Sequence, residues 1–310
     1  MEGRAGVQNR ASQVSSKSCG LKKKDKFRII KRLKSQYPIR ELCFVACVSR
    51  SGFYKFLKAT DKESDGDHAL VQCMRAIQTE TSLTYGYRRM KIAIEAQLHY
   101  PVNHKRIARL QKANDLQAVI RRKRFNYPKS SFVIEGAKPN ILNRNFIAEK
   151  PNQKWVTDIT YLQSGSQRLY MSALLDLYNN ELVAYRISSD FGIAFVLETI
   201  KDAFAHRLTE NLLIHSDQGG HYMSLAYSNL LSEKRAIQSM SRRGNCWDNA
   251  VMENFFSHLK SELIHRIKPK TREELEEKIR KYVDFYNKER IQTKLKMAPV
   301  AYRSHFSQTA

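Results

Sequence analysis

From Phe27 onward the apolar positions recur at helical spacing. Within "FRIIKRLKSQYPIRELCFVACVSRSGFYKFLKA", Ile39, Leu42, Cys43 and Ala46 form an i, i+3, i+4, i+7 stripe, which predicts one buried helical face. The stripe stops at Val48-Ser49, where Ser49 or Ser51 can cap a second short helix ending near Lys58. Next, "ATDKESDGDHA" is polar and acidic and reads as a linker. A second helical pair follows, "YGYRRMKIAIEAQ" and "NHKRIARLQKANDL", parted by "LHYPV" and with Asn103 as N-cap. "FNYPKSSFVIEGAKPNILNRNFIAEKPNQ" has no period and reads as an extended linker.

At Lys154 the period shortens to two. "KWVTDITYL" alternates, with Trp155, Thr157, Ile159 and Tyr161 on one face and Val156, Asp158 and Thr160 on the other. "RLYMSALLDLY" and "ELVAYRIS" form a hairpin through Asn-Asn. An amphipathic helix, "FGIAFVLETIKDAFAHRL", precedes a short buried strand, "NLLIHSD". Then come a helix ("LAYSNLLSEK"), a strand ("AIQSMS"), a long helix from about Trp247 to Ile264 and another from Arg272 to about Asn287. The order βββαβαβα predicts an α/β layer fold, three antiparallel strands extended by helix-linked strands. The expected organisation is a basic lead-in over 1–25, a helix-turn-helix over 26–62, a second helical unit over 68–126, a linker over 127–150 and a core over 151–305.

Charge separates the two halves. Residues 1–150 hold 32 Lys+Arg against 12 Asp+Glu, a net of +20; residues 151–310 hold 22 against 18, a net of +4. A polyanion partner is implied for the first half, because Lys and Arg on phosphates release counterions. Helix, tight turn and basic second helix are the plan of a DNA-binding helix-turn-helix, with Arg50 and Lys55 as expected contacts. Arg88, Arg89, Arg106, Arg109 and the run Arg121, Arg122, Lys123 and Arg124 supply the second unit. Five scattered cysteines give no disulfide framework, and Cys43 and Cys47 read as core packing. No apolar run is long enough for a membrane span, so a cytoplasmic, nucleoid-associated location is expected.

The candidate chemistry lies in three acids. Asp158 sits within the first strand, Asp217 just past the fourth, where ligands collect in α/β sheets, and Glu253 in the second turn of the long helix. A helix crossing strands one and four would bring them together. Three converging carboxylates repel and rise in pKa unless a cation lies between them. Hard oxygen ligands favour Mg²⁺ or Mn²⁺, and two such ions suit in-line phosphoryl transfer. His215 and His221 flank Asp217, but no second cluster completes a zinc site. Asp176 reads as an end-of-strand acid, Asp248 as a helix cap, Trp155 and Trp247 as core, and "REELEEKIRKY" as a charged, solvent-facing helix. Arg242 and Arg243, leading into the acidic helix, are expected phosphate contacts.

"WVTDITYL", "IHSDQGGHY", "SMSRRGNCWDNAVMENFFSHLKSEL" and "YNKERIQTKLKMAPVAYR" resemble the second-reading-frame product of bacterial insertion-sequence transposases with a retroviral-integrase-type D,D,35,E core. The resemblance runs over roughly residues 30–305 and departs at Gln292, where that family commonly has His. It implies a ribonuclease-H-like core in which Asp158, Asp217 and Glu253 hold metal, and Lys260, on the Glu253 face, meets DNA. It also implies a DNA transposase that cuts element ends and joins them by direct 3′-hydroxyl attack on a phosphodiester. Its expected partners are double-stranded DNA, a second or further copy of the chain, and an upstream-frame helix-turn-helix protein. The alternative is a sequence-specific DNA-binding regulator with a vestigial core; a plain nuclease is a third reading.

Overall fold

The computed structural model describes residues 22–119 and 137–309. The chain divides into two compact units at Ala76/Ile77. The first contains α1 (Lys23–Leu33), α2 (Ile39–Val45) and most of α3 (Arg50–Glu80). Its core is Phe27, Ile30, Cys43 and Phe53, with Ile39, Leu42 and Ala46 of the sequence stripe packed against it. Ser49 caps α3 by accepting a hydrogen bond from the Gly52 amide at 3.2 Å, an interaction worth about 1 kcal/mol.

The first unit departs from its sequence pattern at two places. The presumed linker is helical, since α3 runs on to Glu80. Polarity alone does not stop a helix, and the segment offers only one glycine, Gly66, at a cost of about 1 kcal/mol. Cys47 is not core. Its φ of 52° ends α2 in the left-handed region, and the residue is exposed while Cys43 is buried.

In the second unit, α4 (Tyr87–Leu98) and α5 (His104–Ala113) pack together, and Met90, Ile94, Ile107 and Leu110 are buried. Asn103 caps α5 through the Lys105 amide at 2.8 Å. Two buried glutamines serve backbone carbonyls that would otherwise be stranded: Gln78 donates to Tyr85 and Leu116, and Gln111 also donates to Tyr85.

The five-stranded sheet has the order β3-β2-β1-β4-β5. The strands are β1 (Lys154–Ser164), β2 (Gln167–Asp176), β3 (Leu182–Ser188), β4 (Leu213–Ser216) and β5 (Ile237–Met240). The first three pair antiparallel; β4 joins β1, and β5 joins β4, in parallel. The alternation in β1 buries both faces. Val156 and Leu162 meet α9 (Ala250–Glu262) and α10 (Arg272–Lys288), whereas Trp155 meets α6 (Ala194–His206) and α8 (Leu225–Glu233). The short α7 (Gly220–Met223) follows β4, and α11 (Pro299–Thr309) ends the described chain.

The described part of the proline-rich segment, residues 137–153, has no helix or strand, but residues 137–146 are more than a linker. Leu142 is buried in the core, and the Ile141 and Leu142 amides both donate to Ser239 of β5. Helix α10 carries its expected i, i+4 pairs, including Arg272–Glu276 and Lys281–Glu277. It also buries Leu275, Ile279, Val283 and Tyr286, so only part of it faces solvent.

Candidate active site

The parallel pairing of β1 with β4 aligns Lys154 with Leu213, Trp155 with Ile214 and Val156 with His215. Continuing that register by two residues sets Asp217 level with Asp158 on the neighbouring chain segment. Both acids line one cleft of about 430 Å³, with Ile159, Phe191, His221 and Tyr222 among its walls. The Gly219 amide donates to Asp217 Oδ1 at 2.9 Å. A Cβ at position 219 would lie 2.9 Å from that same oxygen, so the tight turn after β4 suits glycine.

The two aspartates are held against ionisation. Burial, then the charge of Asp217 and more weakly that of Glu253, pushes Asp158 up to about 8; Lys260 opposes the shift. Burial raises Asp217 as well, although its carboxylate reaches the cleft mouth; the Gly219 amide and His221 hold the rise back. Glu253 is exposed and lies in the first turn of α9, not the second. The preceding turn is a separate 3-10 segment, Cys246–Asn249, which shortens the expected helix. Lys260 sits two turns beyond Glu253 and donates to Thr160 Oγ1 of β1.

The donor chemistry fits a hard divalent cation. Asp158 is raised partly by Asp217 and Glu253, and a cation beside it would relieve that repulsion. Among the described residues, however, no three His, Cys, Asp or Glu side chains are gathered tightly enough to cage an ion.

The flanking residues divide clearly. His215 is buried, with its ring nitrogens on Ser239 Oγ at 2.8 Å and Ser241 Oγ at 3.0 Å. Burial lowers it to about 4, so it is a neutral strut between β4 and β5. His221 Nε2 donates to the Phe191 carbonyl at 2.7 Å. Asp176 accepts from the Asn152 and Tyr178 amides, and burial raises it to about 6. Asp248 is a buried anchor. Arg242 and Arg144 grip it, and Asn140 donates to it at 2.9 Å. Arg242 above all holds its carboxyl well below the usual range. Arg144 and Asn140, both in the presumed linker, thus fix the loop before α9, and nothing in their local pattern announced this.

The basic positions also sort by placement. Arg50 and Lys55 are exposed on α3, Arg88 and Arg109 on α4 and α5, and Arg106 is half-buried. Arg243 is exposed, while Arg242 is half-committed to Asp248. Arg89 is corrected: it donates to the Ile291 carbonyl and faces Glu262 at 3.9 Å, inside the fold. Arg121, Arg122, Lys123 and Arg124 lie outside the described residues, as does most of the lead-in. Trp155 is buried as expected, but Trp247 is 69% exposed beside Asp248 in sequence.

Sequence reasoning missed the far end of α9. Arg290 is fully buried and clamps Glu262 at 2.6 and 2.8 Å, while Tyr282 donates to the same carboxylate at 2.8 Å. Tyr85 ties this region to the second helical unit: its hydroxyl donates to the Glu289 carbonyl and accepts from the Ile291 amide.

Family models match three stretches of the chain: an integrase core domain over residues 148–246, a second integrase core model over 253–306 and an HTH-like domain over 65–124. The chain is 36% identical over 280 residues to the putative transposase InsK of insertion sequence element IS150 from Escherichia coli K12, covering 89% of this chain and 97% of that one. It is 31% identical over 246 residues to the transposase InsF of IS3A from the same organism, covering 77% and 84%. Among solved structures it is similar to the HTLV-2 integrase catalytic core domain in complex with magnesium, at a TM-score of 0.42 and 12% identity over 50% of this chain and 98% of that one. It is also similar to the simian T-cell lymphotropic virus intasome, at 0.45 and 13% over 74% of each. No helix among the described residues is long and apolar enough to cross a membrane. With two integrase-core matches, an HTH-like match and a relative aligned over nearly its whole length, the chain belongs to the insertion-sequence transposases with an integrase-type core, DNA polynucleotidyl transferases.

Proposed function

We propose that this transposase cuts the ends of its element and joins them to target DNA at the Asp158–Asp217 cleft, by direct attack of a 3′-hydroxyl on a phosphodiester. The observation that carries the reading is that Asp158 and Asp217 line one cleft, where the charges of Asp217 and Glu253 add to burial in raising Asp158. Asp158, Asp217 and Glu253 would hold Mg²⁺ or Mn²⁺, two ions per site. Such ions, when bound, activate the attacking oxygen and stabilise the leaving one. Asp158 is fixed by its place within β1, Asp217 by the Gly219 turn, and Glu253 by the first turn of α9. Lys260, on the same side of α9 as Glu253, steers a phosphate toward the cleft. The exposed Arg50, Lys55, Arg88, Arg109 and Arg243 hold duplex DNA, and Arg106 and Arg242 add partial contacts.

One site per chain and two element ends per event call for at least a dimer on DNA, and the upstream-frame helix-turn-helix protein is a further expected partner. The reaction takes place on the cell's own DNA, in keeping with a nucleoid-associated location. The test is to incubate the protein with labelled element ends, a target plasmid and Mg²⁺. Joined products are expected. Cuts without joining would make it a nuclease, and retention without cutting a regulator with a vestigial core.

A further inference from the structure

The cleft has an aromatic lip that the phosphate chemistry leaves unused. Phe191, in the loop between β3 and α6, is 50% exposed and lines the same cavity as Asp158 and Asp217. Its position is fixed twice by His221, which bonds its carbonyl and meets its ring edge-on with centroids 4.4 Å apart. From Phe191 a line of rings continues across the sheet. Tyr170 of β2 lies 4.7 Å away, and Tyr161 of β1 lies 5.6 Å beyond it and is 40% exposed. Tyr161 and Tyr170 are direct partners in the antiparallel register, so the strip is built on the rigid part of the sheet.

We propose that Phe191, backed by Tyr170 and Tyr161, receives an unpaired nucleobase from the DNA end whose phosphodiester lies at Asp158 and Asp217. The inference rests on the reading of that cleft as the strand-cutting site. A closed duplex offers its sugar–phosphate backbone and base edges, and its ring faces are hidden in the stack. A half-exposed ring held beside the reacting position gains a flat stacking partner when a terminal pair opens. Lys260, the expected phosphate contact, approaches from α9 on the other face of the sheet. A scissile phosphate between the two faces would put the backbone toward α9 and a displaced base toward Phe191.

The test uses the full chain and a duplex of the element's own end, with 2-aminopurine replacing an adenine within the last three pairs. In Ca²⁺, binding by the wild-type protein should release the probe from its duplex quenching. Phe191→Ala should bind with the same salt dependence but leave the probe quenched, and Phe191→Trp should restore the change. In Mg²⁺, Phe191→Ala should cut fully paired ends about tenfold more slowly, and mispairing the last two base pairs should recover most of that loss. A probe that stays quenched with the wild-type protein bound, or an equal loss for paired and mispaired ends, would overturn the proposal. Failure of the cleft reading shows separately, as wild-type protein that opens the end but cuts no strand.

Discussion

Helix α9 carries an acid near each end, in opposite surroundings. Glu262, at its C-terminal end, is buried and receives Arg290 through two hydrogen bonds, with Tyr282 and His258 adding to them. Burial alone would raise it, but the bonds from His258 and Arg290 outweigh that and hold it at about 2. Glu253, in the first turn, faces outward and adds to the repulsion on Asp158, which stands at about 8. A carboxylate with its partners supplied by the fold is structural. Asp158 is instead raised by the charges of Asp217 and Glu253 on top of burial, a repulsion that a cation would relieve under the function proposed above. The comparison separates the two roles more surely than the amount of burial does.

The largest effect should come from the repelling acids. Asp158→Asn, Asp217→Asn or Glu253→Gln should each reduce strand cutting by at least about a thousandfold, while gel retention of the DNA persists. Ordinary turnover in any one of them would move that residue to the structural side. At the other end of the helix, Arg290→Leu strands Glu262 and should cost about 3–5 kcal/mol in a urea unfolding experiment. The double variant Arg290→Leu/Glu262→Leu should recover most of that loss. If it does not, the pair's value lies in more than satisfying one buried charge.

The two ends should also respond to pH with opposite sign. Glu262 has a depressed folded pKa, so its contribution is present above its ordinary value near 4.5 and is lost as pH falls toward 2. Asp158 has a raised one, so its burden is absent below about 4 and grows as pH rises toward 8. Asp158→Asn should therefore raise the melting temperature of the metal-free protein at pH 8, by roughly 2–4 °C per kcal/mol relieved, and leave it nearly unchanged at pH 4. A uniform shift at both values would mean the acid is not strained. The smallest effect belongs to the exposed pair Lys281–Glu277 on α10. Lys281→Ala should change stability by no more than about 0.5 kcal/mol, because the site resembles neither end of α9.

Much of this was legible in the sequence, for reasons that also set its limits. The two-residue period of β1 and the succession of strands and helices along the chain followed from local pattern, because successive strand residues point to opposite faces of the sheet. That Asp158 and Asp217 share a cleft followed from the topology, since β4 runs parallel beside the start of β1 and ends about level with Asp158. The course of α3 through "ATDKESDGDHA" did not, because charged residues suit a helix surface as well as a loop. Nor did the inward turn of Arg89: its neighbour Arg88 is exposed, and adjacent helix positions point about 100° apart. The Glu262–Arg290 clamp joins residues 28 apart, and the grip of Arg144 on Asp248 joins residues 104 apart. Long-range pairs of this kind leave no local signature. Trp247 was misread because large apolar residues are usually buried, whereas this one stands exposed in the short turn before α9.

The central claim is that oxygen ligands from positions 158, 217 and 253 act on shared divalent ions. Calorimetric titration of Mn²⁺ into the DNA-bound protein and into the three carboxamide variants tests it most directly. Saturable binding that weakens at least about tenfold in every variant is the expected result. Binding that survives unchanged in Glu253→Gln, or in either aspartate variant, would contradict it.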